Sequence, residues 1–279
     1  MTSVAPATRT TQAVILARGL GTRMRQATGA ALDGNQATAA ARGAKGMMPF
    51  ARPFLDYVLS VLGDAGVTEA VLVIGPPPDD AAIREYFEST KAGRRVSVRF
   101  AVQAEPRGTA DAVYAARDVV RPAPFLMLNS DNYYPLDACD SLAAIGGPGL
   151  VAFDADTLVR ESGIEEERVL RYALIDSDAD GFLSAIHEKP DSSHPLARER
   201  QRWVSMNLWS FTPKIFDACA RVTPSARGEL ELADAVAIAI RVFGERFRVL
   251  PMSGAVLDLS SRADVALVGD RLAKITPRP

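Results

Sequence analysis

Residues 13–23 read Ala13-Val14-Ile15-Leu16-Ala17-Arg18-Gly19-Leu20-Gly21-Thr22-Arg23, an apolar run that stops at two glycines. A short continuous apolar run bounded by glycine predicts a buried strand feeding a glycine loop. Backbone N–H groups of such a loop can line an anion site, and Thr22 and Arg23 add a hydroxyl and a fixed cation. Two familiar loops are excluded by inspection. A dinucleotide-binding GxGxxG needs glycine where this chain has Met24, and a P-loop needs Ser or Thr after Lys45, where Gly46 stands.

Outward from this strand the chain alternates. Leu55, Val58, Leu59 and Leu62 recur at helical spacing over 53–65, with Pro53 in the first turn and Gly66 as a stop. Strands are expected at 70–74, 96–102 and 125–128, with helices at 80–87 and 109–116 between them. That alternation predicts βαβ units and an α/β fold on a mostly parallel sheet. Beyond residue 145, strand-like pieces at 150–153, 171–175, 182–186 and 203–211 predict added antiparallel structure. Helices are expected at 213–220, 232–242 and 262–272. Residues 26–44, rich in Ala, Gly, Thr and Gln, read as a long loop with a short helix near 36–41.

Bulk properties narrow the function. The 279 residues carry 32 basic and 34 acidic side chains, a net charge of −2 without a long basic run, which argues against non-specific nucleic-acid binding. Cys139 and Cys219 stand far apart, and His187 and His194 are the only histidines, so a cysteine zinc site or an imidazole-rich centre is not expected. No apolar stretch reaches the ~18 residues of a membrane helix. Residues 1–11 lack a signal peptide's apolar core and read as a disordered tail. A cytoplasmic protein without nucleic-acid or membrane partners is expected. A homo-oligomer remains open.

Further motifs follow in order. Lys45-Gly46-Met47-Met48-Pro49-Phe50 comes first, then Gln103 to Val113 (QAEPRGTADAV), Ser130-Asp131 and Glu188-Lys189-Pro190. Gly228-Glu229-Leu230-Glu231-Leu232-Ala233-Asp234 and Leu257-Asp258 close the series. With the 16–23 segment, this set resembles the signature of sugar-1-phosphate nucleotidylyltransferases over nearly the whole chain. The resemblance implies a single nucleotidyltransferase domain at 12–279, on a Rossmann-like, GT-A-like mixed sheet flanked by helices. Residues 12–145 would form its nucleotide-binding half and 146–279 its sugar-binding half.

It also implies roles. Arg23 and Lys45 would be catalytic cations. Leu16, Ala17, Gly19, Gly21, Thr22, Gln103, Gly108 and Thr109 would bind the nucleotide, Asp131 and Asp258 would hold Mg²⁺, and Glu188, Lys189 and Asn207 would bind the sugar phosphate. Asn207 stands where the family has glycine, and Arg18, Ser130 and Ser260 also depart from its letters. The implied reaction joins a nucleoside monophosphate from dTTP, UTP or ATP to a sugar 1-phosphate, with pyrophosphate released. Two other readings stand beside it: a nucleotidylyltransferase for a non-sugar phosphorylated acceptor, and a non-catalytic nucleotide-sugar sensor on the same fold.

Overall fold

The computed structural model describes residues 8–26, 30–188 and 193–279. Its first half runs β1 (Gln12–Leu16), α1 (Thr22–Arg25), α2 (Gly34–Arg42), a 3-10 turn at Lys45–Met47, α3 (Phe54–Asp64) and β2 (Glu69–Ile74). Then come α4 (Ala81–Ser89), β3 (Ser97–Val102), α5 (Thr109–Ala115), β4 (Phe125–Asn129), β5 (Asn132–Tyr133) and α6 (Leu136–Ile145). The second half runs β6 (Gly149–Asp154), α7 (Ala155–Thr157), α8 (Glu166–Val169), β7 (Leu174–Ser177), β8 (Leu183–His187) and β9 (Trp203–Phe211). It closes with α9 (Lys214–Cys219), α10 (Leu232–Phe243), β10 (Arg248–Met252), β11 (Leu257–Asp258) and α11 (Asp264–Leu272). None of these helices is long and apolar enough to cross a membrane.

Nine strands form one mixed sheet in the order β10-β6-β9-β4-β1-β2-β3, with β7 paired to β8 and β9. β3, β2, β1 and β4 are mutually parallel, whereas β9 runs antiparallel between β4 and β6. β1, β2 and β4 are buried on both faces, which is why they read as unbroken apolar runs rather than alternations, while the edge strand β3 is largely exposed. In β4, Leu126 and Leu128 enter the core beneath α3 and α6, while Phe125 and Met127 enter the core beneath α5, α9 and α10. In α10, Leu232, Ala235, Val236 and Ala239 supply the buried stripe at helical spacing.

The order β3-β2-β1-β4 reverses direction at β1, and Leu16 at the end of β1 lies level with Asn129 at the end of β4. In open α/β sheets, ligands bind beyond the carboxyl ends of the strands at such a reversal. The glycine loop leaves one of these strands and Ser130-Asp131 leaves the other.

Three expectations need correction. Of the tail expected at 1–11, residues 1–7 lie outside the described residues, but residues 9–11 are docked. Arg9 Nη2 donates to the Ala65 carbonyl at the end of α3 at 2.7 Å, and Thr10 N–H donates to Ala143 at 2.8 Å. Arg9 thus satisfies a carbonyl that the helix end leaves open. In the segment 26–44, residues 27–29 lie outside the described residues, while the short helix expected near 36–41 is present and longer, α2 spanning Gly34–Arg42. Asp33 accepts the Gln36 N–H at 2.8 Å and the Gln36 side chain accepts the Asp33 N–H at 3.3 Å, a reciprocal cap that starts the helix. The strand expected at 171–175 begins only at Leu174, because residues 170–172 continue the turn that follows α8.

Candidate active site

The glycine loop works by close backbone approach. Gly21 sits in the left-handed region at φ 59°, and a Cβ there would lie 2.5 Å from Gly43 Cα and O. Only glycine lets the start of α1 cross the end of α2 so tightly. This crossing closes the long interval between Arg23 and Lys45, so the 3-10 turn carrying Lys45 reaches the end of β4. Lys45 Nζ lies 2.8 Å from Asp131 Oδ2, with both side chains largely shielded from solvent. Arg23, one turn into α1, is exposed and makes no ion pair or hydrogen bond among the described residues. Arg25 instead donates to the Arg42 carbonyl at 3.2 Å, and Arg262 Nε donates to the Met24 carbonyl at 2.9 Å. Both arginines brace the end of α1, leaving Arg23 as the cation of that helix without a partner among the described residues.

Gly19 differs from Gly21. Nothing lies within 4 Å of a Cβ built on Gly19, and its φ is ordinary. Gly21→Ala should therefore destabilise the fold by about 2 kcal/mol through clash and left-handed strain. Gly19→Ala should leave stability within about 0.5 kcal/mol and act only on a ligand that approaches the loop. Denaturant unfolding of both variants with nucleotide titration checks this. Equal loss of stability in the two variants would contradict it.

Asp131 and Asp258 meet through a small ladder. β5 and β11 pair antiparallel with Asp258 opposite Asn132, and Leu259 N–H donates to the Asp131 carbonyl at 2.8 Å. Their carboxylates are in different states. Asp131 spends Oδ2 on Lys45, and Oδ1 makes no hydrogen bond among the described residues. Asp258 is buried, with Oδ2 accepting from Tyr172 at 2.8 Å and facing the Arg168 guanidinium, and Oδ1 accepting from Ser260 at 2.7 Å. Burial opposes the charge on Arg168, yet Asp258, Tyr172 and Asp264 together raise its pKa above the ordinary guanidinium value. Burial first, then the Asp258 carboxylate, keep the Tyr172 phenol protonated. Mg²⁺ takes one or two carboxylates together with phosphate oxygens and water. The residues present fit such an ion at Asp131 and do not fit it at Asp258.

The far end of the loop meets Gln103. Its N–H₂ donates to Asp111 Oδ2 at 2.8 Å and to the Gly108 carbonyl at 3.2 Å, leaving Oε1 as its uncommitted acceptor. Gly108, at φ 125°, crosses the 228–234 segment, where an added Cβ would meet Leu230 O at 2.5 Å. The Thr109 hydroxyl accepts the Leu232 N–H at 3.0 Å, so Thr109 caps the start of α10. Arg18 turns inward, donating to the Gln103 carbonyl and lying 3.7 Å from Asp79. Beside it, Asp80 accepts the Gly75 N–H at 2.6 Å. Burial raises the Asp80 pKa, with Asp79 adding to the effect and Gly75 and Arg18 opposing it.

The side where the resemblance expects the acceptor is built by β7, β8 and β9. Leu174 of β7 lies level with both His187 and Val204, so β8 and β9 run in the same direction and lead from that rung toward Glu188 and Asn207. Lys189 lies outside the described residues. β9 is irregular where Leu150 faces Trp209 but Ala152 faces Ser205. Asn207 occupies this bulge at φ 59°, alone among the described non-glycine residues in having a positive φ. Asparagine tolerates the left-handed region where the family has glycine. The bulge frees the Met206 carbonyl, which accepts from the buried Tyr134 hydroxyl at 2.6 Å. The pairing of β4 with β9 ends at Met127 opposite Trp209, two residues short of Asn207 on one strand and of Asn129, the last residue of β4, on the other. Its half-buried amide makes no side-chain hydrogen bond among the described residues.

One strand-end region thus collects Gly19, Gly21, Thr22, Arg23, Lys45 and Asp131. Asn207 borders it, and Asp258 lies beneath it. Sequence reasoning missed Arg168, Tyr172, Asp111 and Arg262. No motif marks Arg168 or Arg262, because their partners lie about 90 to 240 residues away in the chain.

A family model described as nucleotidyl transferase matches residues 12–246. The chain is 29% identical over 269 residues to a glucose-1-phosphate thymidylyltransferase of Streptomyces griseus, covering 96% of this chain and 67% of that protein. It is 27% identical over 266 residues to the UTP–glucose-1-phosphate uridylyltransferase AglF of Haloferax volcanii, covering 95% and 98%. Against the low-salt glycan biosynthesis nucleotidyltransferase Agl11 of the same organism, 27% identity covers 80% of this chain and 55% of that protein's length. A UDP-glucose pyrophosphorylase solved with UDP-glucose superposes at a TM-score of 0.70 with 16% identity, covering 95% of this chain and 99% of the other, a likeness of fold.

Proposed function

This chain belongs to the nucleotidyl transferase family, and on that premise we propose that it transfers a nucleoside monophosphate from an NTP to a sugar 1-phosphate, releasing pyrophosphate. The observation that carries this reading is the 2.8 Å pairing of Lys45 with Asp131 where the sheet reverses, beside an unpaired Arg23. An in-line displacement at phosphorus needs positioning and charge neutralisation more than covalent chemistry. Arg23 meets the triphosphate and the charge that develops on the transferred group. Lys45 exchanges Asp131 for a phosphate oxygen when the nucleotide binds. Asp131 would hold Mg²⁺, which would supply charge neutralisation and orientation at the phosphates. Gln103 Oε1 accepts an N–H from the base, a donor that thymine, uracil and adenine all offer. Glu188 and Lys189 bind the acceptor's hydroxyls and phosphate.

Phosphorus NMR of the protein with NTP, Mg²⁺ and a sugar 1-phosphate tests the reading. A diphosphate diester should grow in step with pyrophosphate. A nucleotide-sugar sensor would bind and give neither.

Asn207 bears on the acceptor. Once an acceptor covers it, the Asn207 amide left without a partner would cost about 1–3 kcal/mol, so it favours an acceptor that brings a matching hydroxyl, amine or acyl group. Asn207→Gly should weaken the native acceptor, relax selectivity toward plain hexose 1-phosphates and barely move the NTP parameters. The measurement is kcat/KM for several sugar 1-phosphates with both proteins. Equal changes for every acceptor would show that Asn207 does not read the sugar.

A further inference from the structure

We propose that Asp258 is not a metal ligand in this chain: it is the fixed counter-ion of Arg168, and the pair positions Asp131, which alone among the described carboxylates holds the ion. The inference rests on the metal role proposed above for Asp131.

Both oxygens of Asp258 are already occupied. Arg168, Tyr172 and Ser260 approach its two oxygens from three directions, and the carboxylate is buried among them. Arg168 Nη2 faces Oδ2 as an ion pair without the alignment of a hydrogen bond, while Nη1 donates to Asp264 at 2.8 Å. Asp264 is itself saturated, because its Oδ2 accepts the N–H groups of Ser260 and Ser261 at 3.0 and 2.6 Å. The cluster therefore carries its own cation. An ion bound at Asp258 would have to displace a buried guanidinium that already balances the charge.

What the cluster does for the site follows from the ladder. Asp258 is opposite Asn132, and the next residue, Leu259, donates to the Asp131 carbonyl. Arg168, carried by α8, thus ties β11 to the start of α11, and β11 in turn pairs with β5 and holds the Asp131 backbone through Leu259. Lys45 and Arg168 each discharge one of the two motif carboxylates. They differ in that Lys45 sits on a flexible stem and can leave, whereas Arg168 is held by two carboxylates.

Mn²⁺ bound with pyrophosphate is the probe, and the number of water molecules on the ion is counted from the deuterium modulation of its electron spin echo in D₂O. Asp131→Ala should add a water to the bound ion. Asp258→Ala should add none, and neither should the charge-neutral pair Arg168→Gln/Asp258→Ala, which serves if the single variant fails to fold. Arg168→Gln should weaken Mn²⁺ about tenfold or more without adding a water, as loss of a supporting contact does, and Arg168→Lys should restore part of that affinity. An added water in either Asp258 variant overturns the inference. Unchanged Mn²⁺ affinity in Arg168→Gln removes its positioning part. No added water in Asp131→Ala would instead remove the metal role of Asp131, and the inference with it.

Discussion

Replacing Asp131 with asparagine lowers turnover by roughly 10²–10³-fold while the protein stays folded, a loss of the size seen when one charge-stabilising group is removed. The carboxylate stands where a parallel strand ends at the sheet's reversal, with one oxygen on Lys45 and the other without a hydrogen bond. Asparagine keeps the shape and an oxygen that can still accept from Lys45, so little packing changes. What disappears is the negative charge needed to hold a hard cation against phosphate. The partial exposure of the pair means that its loss should cost about 1 kcal/mol of stability or less. Steady-state kcat with a thermal melt of the same sample checks both halves. Near-normal rates, or full activity of the wild type in excess EDTA, would contradict the assignment.

The second large effect belongs to Arg23. Arg23→Ala should lower kcat by roughly 10²-fold or more and change stability by less than about 0.5 kcal/mol, since an exposed side chain without partners supports nothing else in the fold. Arg25→Ala is the control on the same helix turn. Arg25 donates to the Arg42 carbonyl, so its loss should loosen the α1–α2 crossing slightly and leave the chemical step within a few-fold. Single-turnover rates at saturating NTP separate the two. Equal effects at both positions would mean that the helix, not Arg23, matters.

The centre of the parallel half was legible because three of its strands are buried on both faces and leave short apolar runs bounded by turn residues. β1, β2 and β4 all show this. Elements set by other physics were harder to read. α2 has an alanine-rich body with little hydrophobic contrast, yet Asp33 and Gln36 carry the capping signature that would have located it. Pro135 and Gly146 bracket α6 in the same way. β10 contains Pro251, which a central strand would exclude but the outermost strand of this sheet admits. In the candidate site, motif order singled out Arg23, Lys45, Asp131 and Asn207. Sequence could not reveal that Asp258 is enclosed by Arg168, or that Thr109 caps α10, since both depend on partners distant in the chain. The substitution of asparagine for glycine at 207 was visible, and its left-handed backbone is the physical reason that so few other residues could stand there.

The most direct measurement is pyrophosphate release across ATP, UTP, dTTP, CTP and GTP, each paired with a panel of sugar 1-phosphates. The account predicts release that requires one NTP and one sugar 1-phosphate together, with the NDP-sugar formed in equal amount. Nucleotide-sugar binding without release in any pairing, or release from NTP that ignores the acceptor, would contradict it.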